Sequence, residues 1–368
     1  MDEFMTTCNY NTSVHTYEVE HGNFVSFSNG NNISIDDDIY NDGNGTTKTI
    51  TNVIYYALLF KVVSVLVSSI IFIVGLIGNI LVVIVVCRTK NMHTPTNCYL
   101  ISLAVADSIV LISATLPSVP EPFFEVNEWP WGRPLCSILI FLQYLGVDAS
   151  SLSITAFTVE RYIAICHPMK AQKMCTVNRA KRIIVGIWVF TIIYCAPWLG
   201  LTVIRPRDNF SKVVKCTFRL QREAYLAYYL TDLVVFYVIP LLIAGILYAL
   251  IARILFSSRI TKAHGKPTQI AAKHKQTTTS RKQVVRMLIV IVGVFAIMWL
   301  PYRFMVVYNS LNKSKYLDLW FLLLCRVMVY INSAINPILY NAMSVKFRRA
   351  FRKLLCCGKY HINLLNNI

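Results

Sequence analysis

Acidic residues are scarce in this chain. Asp and Glu number 18 against 36 Lys and Arg, and charged residues of both signs make up only 15% of 368 residues, while 55% are hydrophobic. That balance excludes an ordinary water-soluble domain, because the apolar residues exceed what a single core can bury. The acid that exists gathers early, at Asp2, Glu3, Glu18, Glu20, Asp36, Asp37, Asp38 and Asp42, and the basic residues fall in alternate loops. The net charge of +18 is therefore a topology signal and not a nucleic-acid footprint. No CxxC pair and no Cys/His cluster with zinc spacing occurs among the 11 cysteines, which leaves metal enzymology without ligands. No nucleophile–base dyad or phosphate loop supports an enzyme. The start, MDEFMTTC, lacks the apolar core of a signal peptide, so the first long apolar run is expected to act as the insertion signal.

Seven runs are long enough to span a bilayer: Ile54 to Val86, Thr96 to Val119, Leu135 to Ile165, Ile183 to Val203, Tyr225 to Phe256, Val284 to Tyr308 and Leu317 to Met343. Loops after the first, third and fifth runs are basic (Arg88, Lys90; Lys170, Lys173, Arg179; Arg253, Arg259, Lys262), which makes them cytoplasmic and puts the N-terminus outside. Sequons at Asn11, Asn32, Asn44, Asn209 and Asn312 all fall on segments that this rule places outside. The expected organisation is an all-α membrane protein. A glycosylated extracellular tail covers residues 1–53, a seven-span bundle 54–343, and a cytoplasmic amphipathic helix with a short tail 344–368. Cys136, at the mouth of the third span, and Cys216, in the loop after the fourth, are the expected disulfide, with Cys8 left over.

Several spans carry polar groups that lipid would penalise. Tyr144 and Asp148, four apart, share one face of the third span. Asp107 in the second is an intramembrane carboxylate whose candidate neighbours, Asn79, Ser150, Asn332 and Asn336, form an oxygen-rich set able to hold water and a monovalent cation such as sodium, or a purely structural network. Gly75 and Gly78 let another helix approach the first span. Glu160-Arg161-Tyr162 places an ion pair where the third span leaves the membrane. Pro240, Pro301 and Pro337 kink the fifth, sixth and seventh spans, the last two beside Trp299 and Tyr340. Beyond them Phe347, Phe351, Leu354 and Leu355 recur at helical spacing among basic residues, an interfacial helix that ends in the palmitoylation candidates Cys356 and Cys357.

Asn79, Asp107, Glu160-Arg161-Tyr162, Trp188, Pro240, Trp299-Leu-Pro301 and Asn336-Pro337-x-x-Tyr340, one in each successive span, resemble the rhodopsin-like G-protein-coupled receptors over residues 54–357. Glu160 where Asp is usual and Met298 where Cys is usual are mild departures. The aspartate of amine receptors is replaced by Gln143, and the seventh span has no lysine for a retinal Schiff base. The stretches NMHTPTNCYLISLAVAD, FLQYLGVDASSLSITAFTVERYIAICHPMKAQ and WLPYR are similar to the thyrotropin-releasing-hormone receptors. That resemblance implies a small amidated peptide ligand, a pocket at Tyr144, Asp148, Tyr302, Arg303 and Arg326, a Gq-type G protein docking at Arg161, phospholipase C and calcium release, and an arrestin partner. The tail after Cys357 has no Ser or Thr, so arrestin would depend on Thr277, Thr278, Thr279 and Ser280. The family has Asn at the position of Asp148. An ionised carboxylate only accepts, so either the native ligand differs from the tripeptide hormone, or Asp148 is protonated or paired with Arg303 or Arg326. The alternatives are another amidated neuropeptide, such as a neuromedin-like one, and a seven-span transporter, against which no hydropathy repeat is evident.

Overall fold

A computed structural model describes residues 33–36, 53–206, 213–220, 222–260, 269–312, 316, 318–345 and 347–353. Among the described residues seven helices are long and apolar enough to cross a membrane: α1 (Leu58–Arg88), α2 (Pro95–Phe123), α3 (Gly132–Cys166), α4 (Val177–Leu201), α5 (Leu226–Ile254), α6 (Ile289–Leu311) and α7 (Leu319–Met343). They correspond one to one with the seven apolar runs, and the fold is an all-α seven-helix bundle. Helical structure in α6 reaches back to Gln269, well before the start expected at Val284. The fourth run ends at Leu201 because the chain turns there into a hairpin, β3 (Thr202–Pro206) against β4 (Val214–Phe218), with Ile204 opposite Cys216. An earlier hairpin pairs β1 (Ile33–Asp36) with β2 (Val53–Tyr56), ahead of α1.

Prolines decide much of the packing between helices. A proline has no N–H, so the carbonyl four residues earlier loses its helix partner, and in hydrocarbon a neighbour must supply the donor. In α2, Pro117 leaves the Ser113 carbonyl, and Gln143 Nε2 of α3 donates to it at 2.9 Å. In α5, Pro240 leaves that of Phe236, which accepts from Ser151 Oγ of α3 at 2.6 Å. In α7, Pro337 leaves that of Ser333, which accepts from Asn79 Nδ2 of α1 at 3.0 Å. Beside Pro301 in α6, the Ala296 carbonyl accepts from the Tyr237 hydroxyl of α5 at 2.9 Å. The carbonyls freed by Pro117, Pro240 and Pro337 thereby become crosslinks between spans. A π-helical turn precedes two of them, over Leu111–Thr115 and Val234–Val238.

Small residues set the closest approaches. A Cβ built on Gly75 would lie 2.7 Å from that of Ala334, and one on Gly146 would lie 2.7 Å from Val110 Cγ2 and 2.9 Å from the Ala106 carbonyl. These contacts draw α7 onto α1 and α2 onto α3, as backbone-close packing in a membrane requires. Trp188 Nε1 donates to Ser102 Oγ at 3.1 Å, and Ser102 meets Ser153 at 2.9 Å, joining α4, α2 and α3. After α7, residues 347–353 are helical, with Phe347 buried against Tyr340 and Arg348, Arg349, Arg352 and Lys353 exposed. This is the amphipathic pattern expected of an interfacial helix.

Candidate functional site

At the outer end of the bundle Cys136 and Cys216 form a disulfide, with Cα atoms 5.8 Å apart. It pins β4 to the top of α3, and the Trp129 N–H donates to the Val214 carbonyl at 2.8 Å on the same side. Two cavities that share Tyr302 lie in the bundle. The outer one is lined by Ser118, Glu121, Asn127, Trp129, Gln143, Tyr302, Arg326 and Tyr330. The inner one is lined by Tyr144, Tyr229, Asp232, Trp299, Tyr302, Arg303 and Ser310. Tyr302 lines both, and its ring stands edge-on against Trp299 with centroids 5.9 Å apart.

Four of the five candidate pocket residues divide between these spaces, and Asp148 lines neither. Tyr302 and Arg326 face the outer cavity, and Tyr144, Tyr302 and Arg303 the inner one. Tyr144 stacks on Trp198 with centroids 4.4 Å apart, and Asp148, one turn on, is fully buried and accepts from Cys195 Sγ of α4 at 3.3 Å. The pairing of Asp148 with Arg303 or Arg326, open from the sequence, is not what the structure contains. Arg303 Nη1 donates to Asp232 Oδ2 of α5 at 2.8 Å, and its guanidinium lies 5.1 Å from the Trp299 ring. Arg326 forms an ion pair with Glu121 at the end of α2. Both arginines bonded to carboxylates that sequence reasoning had passed over. Asp232 sits inside an apolar run, and the rule that singled out Asp107 applies to it equally. Glu121 lies two residues past the expected end of the second span, so it read as loop.

Gln143, read as the position that distinguishes amine receptors, supplies the donor for the Ser113 carbonyl while lining the outer cavity. A carboxylate there could not donate that bond.

Deeper in the bundle, Asp107 accepts from Ser150 Oγ at 3.3 Å and from Asn336 Nδ2 at 2.7 Å. Of the other expected neighbours, Asn332 offers its carbonyl to Asn336 at 3.4 Å. Asn79 turns to Ser333 and to the Gly75 carbonyl, leaving its own Oδ1 without a partner. The oxygen-only donors suit a hard monovalent cation, and in this conformation N–H and O–H donors occupy the carboxylate instead. Near the inner end, Tyr340 is buried 1% exposed beneath Phe347. Arg161 Nη2 donates to Glu160 Oε1 at 2.9 Å, and Tyr162 packs edge-on against His167.

The chain matches the model of the 7 transmembrane receptor (rhodopsin family) over residues 78–340. This chain belongs to the rhodopsin family of seven-transmembrane receptors. The receptor is 49% identical over 321 residues to the thyrotropin-releasing hormone receptor of Ovis aries, covering 82% of this chain and 80% of that protein. It is 48% identical over the same span to the protein of that name in Homo sapiens, with the same coverage. The neuromedin-U receptor 1 of Rattus norvegicus is 34% identical over 316 residues, 79% of this chain and 73% of that one. The receptor is accordingly a multi-pass membrane protein closely related to thyrotropin-releasing hormone receptors.

Of the remaining sequence candidates, Asn312 is exposed just past α6, with its amide donating to the Tyr308 carbonyl at 3.0 Å. Asn11, Asn32, Asn44, Asn209, Cys8, Cys356 and Cys357 lie outside the described residues.

Proposed function

We propose that this receptor binds a small amidated peptide at its outer end, thyrotropin-releasing hormone or a close relative, and signals through a Gq-type G protein, phospholipase C and calcium. The observation that carries this reading is the position of Tyr302. It lines the space open to a ligand and rests on Trp299 above the Pro301 kink, so a ligand that displaces Tyr302 biases the packing of α6 directly. Arg326, with donors suited to a C-terminal amide carbonyl, supports the amidated end. Tyr144, Asp148 and Arg303 receive the other end. The likeness to thyrotropin-releasing hormone receptors supports the choice of peptide.

Outward movement of the inner end of α6 then frees Arg161 from Glu160 for the G protein. Asn79, Asp107, Ser150, Asn332 and Asn336 would hold sodium in the inactive packing, and Trp299, Asn336, Pro337 and Tyr340 rearrange with α6 and α7. Glycans on Asn11, Asn32, Asn44, Asn209 and Asn312, acyl chains on Cys356 and Cys357, and arrestin engaging Thr277, Thr278, Thr279 and Ser280 complete the proposal.

The test is calcium mobilisation in cells expressing the chain, challenged separately with the pyroglutamyl tripeptide amide and with neuromedin U. A saturable calcium transient to the tripeptide is expected. A response to neuromedin U alone would move the assignment to that branch of amidated peptides, where the 34% identity to a neuromedin-U receptor already points as the second reading.

A further inference from the structure

Beside the inner cavity two carboxyls meet one arginine. Arg303 Nη1 donates to Asp232 Oδ2 at 2.8 Å, and Asp148 of α3 lies within hydrogen-bonding reach of the same Asp232 carboxyl. Both acids are buried, at 0% and 1% exposure. Cys195 Sγ donates to Asp148 Oδ2, and Arg303 satisfies Asp232 Oδ2, which leaves the Oδ1 atom of each without a hydrogen-bond partner. Carboxylate oxygens only accept, so while both acids are ionised neither can satisfy the other, and what the cluster then lacks is a donor. In that state it also lacks positive charge, since two carboxylates meet the single guanidinium that reaches them among the described residues. The Asp232 side of the cluster adjoins open space, because Asp232 and Arg303 line the inner cavity with Tyr302 and Trp299, while the fully buried Asp148 is not among its lining residues.

We propose that this cluster is a subsite for a protonated amine, so that the receptor's ligand is a peptide presenting a free N-terminal ammonium to Asp232 and Asp148. The inference rests on the peptide-receptor reading above and names the ligand chemistry at one end of it. An ammonium brings only donors and one positive charge, which fills both unpaired oxygens and returns the cluster to neutrality. A neutral lactam ring brings one N–H donor and a carbonyl acceptor. Arg303 Nε, also unpaired, can take that carbonyl, yet the uncompensated negative charge remains.

Two ligands separate these cases. The pyroglutamyl tripeptide amide carries the lactam. Its prolyl analogue keeps the five-membered ring but has a methylene in place of the ring carbonyl, so its nitrogen is a protonated amine with two donors. Both are assayed by calcium mobilisation on the wild-type full-length chain and on Asp148→Asn, with surface receptor quantified by an extracellular epitope tag. Asp232→Asn is read in the same way where Asp148→Asn fails to reach the surface. The expected result is that the prolyl peptide is about 10-fold the more potent on wild type, the difference between a charge-assisted and a neutral hydrogen bond, and that the substitution abolishes or reverses the preference. Equal or greater potency of the pyroglutamyl peptide on wild type would overturn the proposal. So would a rank order untouched by the substitution, the outcome if a proton shared by the two carboxyls already fills the gap. Silence to both peptides in every variant present at the surface would overturn the amidated-peptide reading itself, and the subsite with it.

Discussion

If prolines in this bundle create binding positions for neighbouring helices, the contribution of Asn79 must depend on Pro337. Asn79→Ala removes two hydrogen bonds, to the Gly75 carbonyl at 2.9 Å and to the Ser333 carbonyl at 3.0 Å. The Gly75 carbonyl keeps its place in the α1 ladder, so the loss falls on Ser333, whose helical partner would be the N–H that Pro337 lacks. A side-chain hydrogen bond between membrane helices contributes roughly 0.6 to 1.7 kcal/mol, and a buried carbonyl left unpaired costs about 1 to 3 kcal/mol. Asn79→Ala alone is therefore expected to destabilise by about 2 kcal/mol. In a Pro337→Ala background residue 337 supplies the donor itself, and the same substitution should cost about 1 kcal/mol less, a coupling of that size in a double-mutant cycle. Thermal unfolding in detergent, at one scan rate, can be followed by a thiol-reactive dye, because Cys195 and Cys325 are free and fully buried in the native state. The coupling would appear as a non-additivity of about 2 °C in the midpoints. Strictly additive shifts would refute the claim that Asn79 serves the carbonyl exposed by the proline.

The other predictions concern packing and signalling. Gly146→Val places a side chain into Val110 and the Ala106 backbone, which forces α2 and α3 apart; surface receptor should fall severalfold while Gly186→Val, with open space around it, leaves it unchanged. Glu121→Gln removes the carboxylate that competes for Arg326, and since a partly exposed pair is worth about 1 kcal/mol, agonist potency in a calcium assay should rise about 5-fold. Cys136→Ser opens the link between α3 and β4 across a sequence separation of 80 residues, a loss of about 2 to 5 kcal/mol that should show as intracellular retention in a surface-tag assay.

How much of this was legible in the sequence differs by kind of feature. Spans and their inner and outer ends are properties of single segments, and apolar length with loop charge locates them without reference to any neighbour. The disulfide was legible for the same reason: compartment alone narrowed the choice to Cys136, Cys216 and Cys8. Pairings inside the bundle were not, because the register of one helix against another is set by packing. Asn79 was expected beside Asp107, but the close approach of Gly75 to Ala334 sets its amide against Ser333 instead. Arg303 and Arg326 looked available to Asp148, while the structure gives them Asp232 and Glu121. The β3–β4 hairpin did leave a trace, since VKCTF has the β-branched and aromatic content of a strand, but a neighbouring apolar run drew Thr202 and Val203 into the fourth span.

The central claim is that occupancy of the outer end changes what Arg161 presents at the inner end, and purified components test it most directly. The receptor in lipid nanodiscs, with purified Gq heterotrimer, would be assayed for peptide-dependent exchange of GDP for GTP, wild type beside Arg161→Ala and Tyr302→Ala. The account predicts exchange stimulated by the amidated peptide in wild type, lost in Arg161→Ala with peptide binding retained, and reduced in Tyr302→Ala. Stimulated exchange that survives in Arg161→Ala would contradict it.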